Sequence, residues 1–212
     1  MKDKPNEWVS ISDLMSGVMA VVMLLLVMSV LQKTYSEIKH KQMLEQAEVT
    51  QRKKVSQMLT ELKSTINKQG ASELIDFNMS EYRITLKENT FEKGSACLTP
   101  LAMTALENIK SKISEHLKNG ENFNVFVEGH TDNLPVSIPV TDYQKFCTVY
   151  DDNFTLSSAR AREARKVLIS SLNDLEAKRV IVAGYGDSRP LADYPPSDPR
   201  NRRVEIQFIV RE

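Results

Sequence analysis

Asp13 stands inside a stretch that otherwise has the composition of a membrane span. From Leu14 to Gln32 there is no charged residue, and the run LMSGVMAVVMLLLVMSVL is almost wholly apolar. With Trp8 to Ile11 added, residues 8–31 are long enough to cross a hydrocarbon core of roughly 30 Å as one helix. The 212-residue chain then has room for one folded domain of about 140 residues beyond the span. A carboxylate at the centre of a membrane helix costs about 2.5–3.5 kcal/mol, and less near an end, where Asp13 lies. A residue held against such a cost is a candidate ion or proton carrier.

The span reads as an uncleaved anchor. Lys2 and Lys4 precede it, but so do Asp3 and Glu7, and the apolar run exceeds a usual signal-peptide core. Its exit, Ser29-Val30-Leu31-Gln32-Lys33, offers no A-x-A-like cleavage site, and no cysteine follows closely to accept a lipid. The expected layout is a short cytoplasmic tail at 1–7, a transmembrane helix at 8–31, a helical connector at 32–70 and a folded domain at 71–212. Charge alone orients the span weakly: Lys33, Lys39 and Lys41 outnumber Lys2 and Lys4, which by count would keep the domain in the cytoplasm. Long domains translocate largely regardless of that count. A formal net charge of zero argues against a large nucleic-acid footprint.

As a helix, the span places Ser12, Ser16 and Ala20 on one strip, with Gly17 one turn beyond Asp13. Small residues let another backbone approach closely, so Asp13 is expected to face a helix–helix seam. The alternative is a carboxylate near the interface that snorkels to water. Met15, Met19, Met23 and Met28 read as plain lipid-facing or packing side chains. A single helix makes no channel, so an ion-carrying role implies a multi-span membrane partner.

Residues 32–70 contain no proline and are dense in Lys, Glu and Gln, which predicts continued helix. Val55, Leu59, Leu62 and Ile66 follow the 4-3-4 spacing of a short coiled-coil seam. Two readings stay open: a dimerising stalk giving a homodimer, or a stripe packed on the chain's own domain. Gly70 suits the residue just past the helix end.

Beyond Ala71 short strands alternate with amphipathic helices. Strands are predicted near 74–78, 83–86, 124–128, 179–183 and 203–210, and helices at 100–117 and 156–172. Thr99 before Pro100 is a good N-cap followed by a first-turn proline. This order predicts an α+β domain with two helices on one face of a mixed sheet. Four segments carry the recognition chemistry: VEGHTDN (127–133), NFTLSSARA (153–161), GYGDSRP (184–190) and NRRVEI (201–206). His130, Thr131 and Asp132 follow Gly129 at a strand tip, and Arg160 lies on the next long helix. Opposed across a pocket, Asp132 and Arg160 suit a zwitterion, the acid taking an ammonium and the guanidinium a carboxylate. Asn153 can hydrogen-bond the ligand backbone. The same two charges fit an internal salt bridge equally well. Catalysis is not indicated. His40, His116 and His130 are scattered, no cluster has metal-ligand spacing, and no Ser or Cys nucleophile has an evident base. No metal and no cofactor are expected.

Those four segments, in that order, resemble the OmpA-like peptidoglycan-binding domain from about Phe91 to Val210. The resemblance implies a non-catalytic anchor in which Asp132 and Arg160 hold the diaminopimelate of the peptidoglycan stem peptide. It also implies that Thr131, Asn153, Leu156, Arg202 and Arg203 line or brace the pocket. The start, Trp8-x4-Asp13-Leu-Met-Ser-Gly-Val-Met, resembles MotB-type stator subunits, in which the matching aspartate carries the ion beside a MotA-type partner. That implies a single-pass bacterial inner-membrane protein with its C-terminal domain in the periplasm, and a stretch within 33–51 that plugs the resting ion pathway. Such a span joined to such a domain occurs in flagellar stators and in the ZorB type of Zorya antiphage defence, whose partner is ZorA. The short tail, the short linker and the end after the last strand lean the resemblance toward ZorB. In an oxidising periplasm Cys97 and Cys147 are then candidates to pair and staple the long stretch between Asp132 and Asn153.

Overall fold

The computed structural model describes residues 7–119 and 123–210. The charges at 2–4 on which orientation was weighed lie outside the described residues. Two compact units are present, 1–47 and 48–212.

One helix, α1 (Glu7–Lys68), takes in both the apolar span and the connector. Trp8 and the large apolar side chains from Ile11 to Leu31 are exposed, so no other described part of the chain covers them. The Ser12 and Ser16 hydroxyls donate to the carbonyls of Trp8 and Ser12 at 2.9 and 2.7 Å, which satisfies them within the helix. At its far end α1 stops as expected. Gly70 is left-handed at φ 73°, its N–H donates to Asn67 O, and the Ala71 N–H donates to Ile66 O. That pair of bonds satisfies the last carbonyls, and Ile66 and Ala71 are both buried beside it.

The second unit holds a five-stranded sheet. β1 (Ile75–Asn78), β2 (Arg83–Leu86), β3 (Phe123–His130), β4 (Val180–Gly184) and β5 (Arg203–Val210) lie in the order β1-β2-β5-β3-β4. All neighbours are antiparallel except β3 and β4, whose parallel pairing needs the crossover that α4 (Asn153–Ile169) supplies. Alternation decides the faces. Phe123, Val125 and Val127, with Val204, Ile206 and Phe208, point into the core beneath α4 and α2 (Pro100–Lys118). Glu128, His130, Arg203 and Glu205 point the other way. Thr99 caps α2 through Ala102 N–H, with Pro100 in the first turn. The predicted mixed sheet with helices on one face is what the structure holds. Two short helices, α3 (Tyr143–Phe146) and α5 (Asp174–Ala177), were not anticipated. α4 starts three residues earlier than predicted because Asp152, not a later residue, accepts the Thr155 N–H and caps it.

Of the two readings of the α1 stripe, packing on the chain's own domain is the one the structure holds. Val55, Leu59, Leu62 and Ile66, with Met58, are at most 1% exposed and belong to the same core as the sheet and α2. Their 4-3-4 spacing reflects one face of α1 lying on its own domain, and a seam so covered cannot also pair with a second copy. Lys112 of α2 reaches Glu61 of α1 at 2.8 Å, and the Asn108 amide donates to Gln69 at 2.9 Å. The folded unit therefore begins near Glu48, not at Ala71.

Candidate ligand-binding cavity

Two glycines let α4 reach the site. A Cβ on Gly129 would lie 2.0 Å from the Ser157 carbonyl oxygen, and one on Gly184 would lie 1.9 Å from Ser158 Oγ. The ends of β3 and β4 thus press directly on the first turns of α4. Gly186, left-handed at φ 53°, donates its N–H to Ser157 Oγ and accepts from the Thr131 N–H. Glycines in the VEGH and GYGD segments therefore position the helix, whose residues Asn153, Leu156 and Arg160 follow i, i+3, i+7 spacing along one face.

That face lines a cavity of about 730 Å³. Its second wall is the segment from Glu88 to Gly94, and its third is the loop from Leu134 to Ile138, with Asp132, Tyr150 and Arg202 completing the lining. Asp132 and Arg160, both 5% exposed, are brought to the same cavity. They do not satisfy each other. Asp132 pairs with Arg202, which also holds Glu88 at 2.7 Å. Arg160 donates its Nε–H to the Ser95 carbonyl at 2.9 Å and lies over the Phe91 ring. Among the described residues the terminal nitrogens of Arg160 have no protein acceptor. Burial lowers the Arg160 guanidinium's pKa, and Tyr150, Glu88 and Asp132 oppose that. Burial also pushes the Tyr150 hydroxyl up, against the pull of Arg160. For Arg202 burial acts downward, but hydrogen bonds to Asp132 and Glu88 outweigh it and hold the guanidinium more firmly charged. A cavity with a buried cation offering open donors at one side and a carboxylate at another can grip a small molecule carrying both charges.

The remaining expected residues divide. Leu156 and Arg202 line the cavity, as does Asn153. The Asn153 amide, however, donates to the carbonyls of Asp132 and Leu134 at 3.2 and 2.9 Å, so it fixes the loop and is not free to grip a ligand backbone with those hydrogens. Arg203 is placed elsewhere. It lies on the opposite side of the sheet, bonding Glu205 at 2.6 Å and the carbonyls of Asn201 and Arg189. Adjacent residues at a strand start point to opposite faces, so Arg202 and Arg203 do not share a site. Thr131 is buried away from the lining, its hydroxyl without a partner among the described residues. Cys97 and Cys147 are joined as a disulfide with Cα atoms 5.2 Å apart. Asp13 lies in the other unit, exposed on α1 with the exposed Gly17 one turn along.

Glu88, Phe91, Tyr150 and the 134–138 loop were missed. Glu88 meets Arg202 across 114 residues of sequence, and no local pattern signals such a partnership. Also unforeseen is a buried trio, Glu128, His130 and Glu205, whose ligating atoms lie within 4.8 Å of one another. Arg203 and Arg83 already hold both oxygens of Glu205, at 2.6 and 2.7 Å. A divalent cation would enter beside two guanidinium groups, and the donor set fits one poorly.

The sequence profile of the OmpA family matches residues 90–203, more than half of the chain. Motility protein B of Bacillus subtilis (strain 168) is 30% identical over 135 residues, 60% of this chain and 45% of that protein. The chain thus spans less than half the length of that curated relative. Among solved structures, a MotB-like protein from Desulfovibrio vulgaris superposes with a TM-score of 0.58 at 23% identity, over 77% of this chain and 99% of that one. The cell wall anchor of the T6SS from Pseudomonas aeruginosa gives 0.52 at 24%, over 71% and 97%. These two likenesses are likenesses of fold.

Proposed function

The chain belongs to the OmpA family, and from that premise we propose that it is a peptidoglycan-anchored, stator-type subunit of an ion-driven inner-membrane motor. The observation that carries the anchoring half is the single cavity where Arg160 holds open donors and Asp132 offers a carboxylate. Diaminopimelate in a stem peptide presents an ammonium and a carboxylate on one carbon, and this pair of charges suits it. Arg160 forks onto the carboxylate, Asp132 shares its charge between Arg202 and the ammonium, and Leu156 supplies an apolar contact. Asn153 keeps the loop in place.

The driving half rests on Asp13. An acid in an apolar helix, with a glycine one turn on, suits an ion carrier packed against a MotA- or ZorA-like multi-span partner. The domain then lies in the periplasm and the tail in the cytoplasm. Copies of the chain act in pairs, but the pairing surface is not the Val55–Ile66 stripe, which is buried. Residues 33–51, exposed along α1 except for the half-buried Glu48 and Gln51, serve as the plug. Of the motors, the ZorB type of Zorya defence is the first reading, and a flagellar stator is the second, favoured by the identity to Motility protein B. A passive wall tether with an idle Asp13 is the remaining alternative.

Co-sedimentation with purified peptidoglycan sacculi tests the anchor. The unaltered chain is expected in the pellet, and Asp132→Ala or Arg160→Ala is expected to lower binding by about tenfold or more, the effect of one lost charge-assisted contact. Undiminished binding by both variants would mean that the two charges only brace their own neighbours, Arg202 and the Ser95 carbonyl.

A further inference from the structure

The Cys97–Cys147 disulfide joins the segments that continue from two of the cavity's walls. The Glu88–Gly94 wall leads into Ser95, Ala96 and Cys97, and the Leu134–Ile138 wall belongs to the long loop that returns through Phe146 and Cys147. Four protein contacts run beside the Cys97–Cys147 bond. Ser95 Oγ donates to the Phe146 carbonyl at 3.0 Å, and the Ala96 N–H donates to the same oxygen at 3.0 Å. Tyr150 Oη donates to the Gly94 carbonyl at 2.7 Å, and Arg162 reaches the Cys147 carbonyl at 3.1 Å. Cys147 itself is left-handed at φ 56°, at the C-terminal end of the short α3. A residue other than glycine in that conformation needs its surroundings to hold it.

The carbonyl of Ser95, two residues before Cys97, is the one that receives the Arg160 Nε–H. The guanidinium is therefore oriented by a strand of backbone whose own position is fixed by the staple. We propose that the Cys97–Cys147 pair is a specificity-determining element of the cavity: it holds the Ser95 carbonyl where Arg160 presents its open donors to a ligand carboxylate. This rests on the reading of the cavity as a diaminopimelate site. Without the bond, the hydrogen bonds that join the 88–97 segment to the 133–152 loop among the described residues are neutral ones. Arg160 then loses its fixed direction, while Asp132 keeps its partner Arg202 and the Asn153 brace, neither of which touches the staple.

The consequence is a change in selectivity as well as in strength. Two soluble stem peptides serve as probes, one with a free diaminopimelate carboxylate and one with that carboxylate amidated. The full-length chain in detergent is expected to prefer the free acid by about tenfold, the scale of one charge-assisted contact. The Cys97→Ser/Cys147→Ser variant is expected to bind the amidated peptide about as well as the unaltered chain does, and to lose most of the preference. A purely structural role would weaken both peptides together and leave their ratio unmoved, and that result overturns the proposal. Ser95→Ala keeps the disulfide but removes the Ser95 Oγ bond to Phe146, and it should shift the ratio in the same direction by less. If the double variant does not fold, Ser95→Ala carries the test alone, and an unchanged ratio there also overturns it. An unaltered chain that shows no preference between the peptides removes the diaminopimelate reading itself, a failure visible before any variant is made.

Discussion

Arg160 and Asp132 carry opposite charges into one cavity and leave each other unneutralised. Each is oriented by a different neighbour, Ser95 for the cation and Arg202 for the acid. An ion pair between them would have closed the site, whereas separate tethers keep both available to a third group. Across the sheet the same logic gives a purely structural cluster. His130 is 2% exposed, stacked on Tyr185, with Glu128 and Glu205 on one side and Arg203, Arg189 and Arg83 nearby. Burial first, and then the field of Arg203, lowers its pKa to about 4. Between about pH 6.5 and pH 4 the unfolded chain takes up a proton that the folded chain refuses, so stability falls as pH drops through that window. The loss is on the order of 3 kcal/mol when complete. Glu205, held below the ordinary carboxylate range chiefly by Arg203 in spite of its burial, loses its contribution only below about pH 4.5. Urea unfolding of the unit 48–212 at pH 7, 5.5 and 4.5 is expected to show the decline, and His130→Phe should flatten it. A decline of the same size in His130→Phe would assign the acid sensitivity to the carboxylates instead.

At the scale of elements, the stripe of α1 shows where pattern stops being informative. Val55, Leu59, Leu62 and Ile66 told correctly that one helix face is buried, and a 4-3-4 spacing cannot tell what covers it. Alternation on β3 and β5, the Thr99 cap and Gly70 were legible because each depends on residues close in sequence. The cavity was legible only in part. The charges that face it lie within recognisable segments, but its Glu88–Gly94 wall is assembled by contacts across 50 residues or more, such as Tyr150 to Gly94 and Arg202 to Glu88. Arg203 was misplaced because a strand start sends neighbours to opposite faces. The buried stripe also sets a boundary. Five large side chains of α1 at most 1% exposed contribute on the order of 10 kcal/mol by burial, comparable with the whole stability of a domain. A fragment beginning at Glu48 is expected to unfold in one cooperative transition with urea. A fragment beginning at Ala71 should show none, and cooperative unfolding of equal midpoint there would return the stripe to solvent or to a partner.

For the whole molecule, the proposed function needs both the acid in the apolar helix and the cavity that carries a guanidinium and a carboxylate. Neither suffices alone: an ion carrier without a fixed point does no work on its surroundings, and an anchor without a carrier is a tether. Covalent continuity of α1 from Glu7 to Lys68 links the two in the chain. The assignment to a defence or a flagellar motor is decided by the partner, and the genes beside this one identify it. The most direct measurement is ion flux through vesicles containing the chain co-purified with its multi-span partner, with residues 33–51 deleted to open the pathway. Flux down an imposed proton or sodium gradient is expected with Asp13 in place and is expected to vanish with Asp13→Asn, while sacculus binding by the same preparation stays unchanged. Equal flux from the two preparations, or none from either, would contradict the claim that this carboxylate carries the ion.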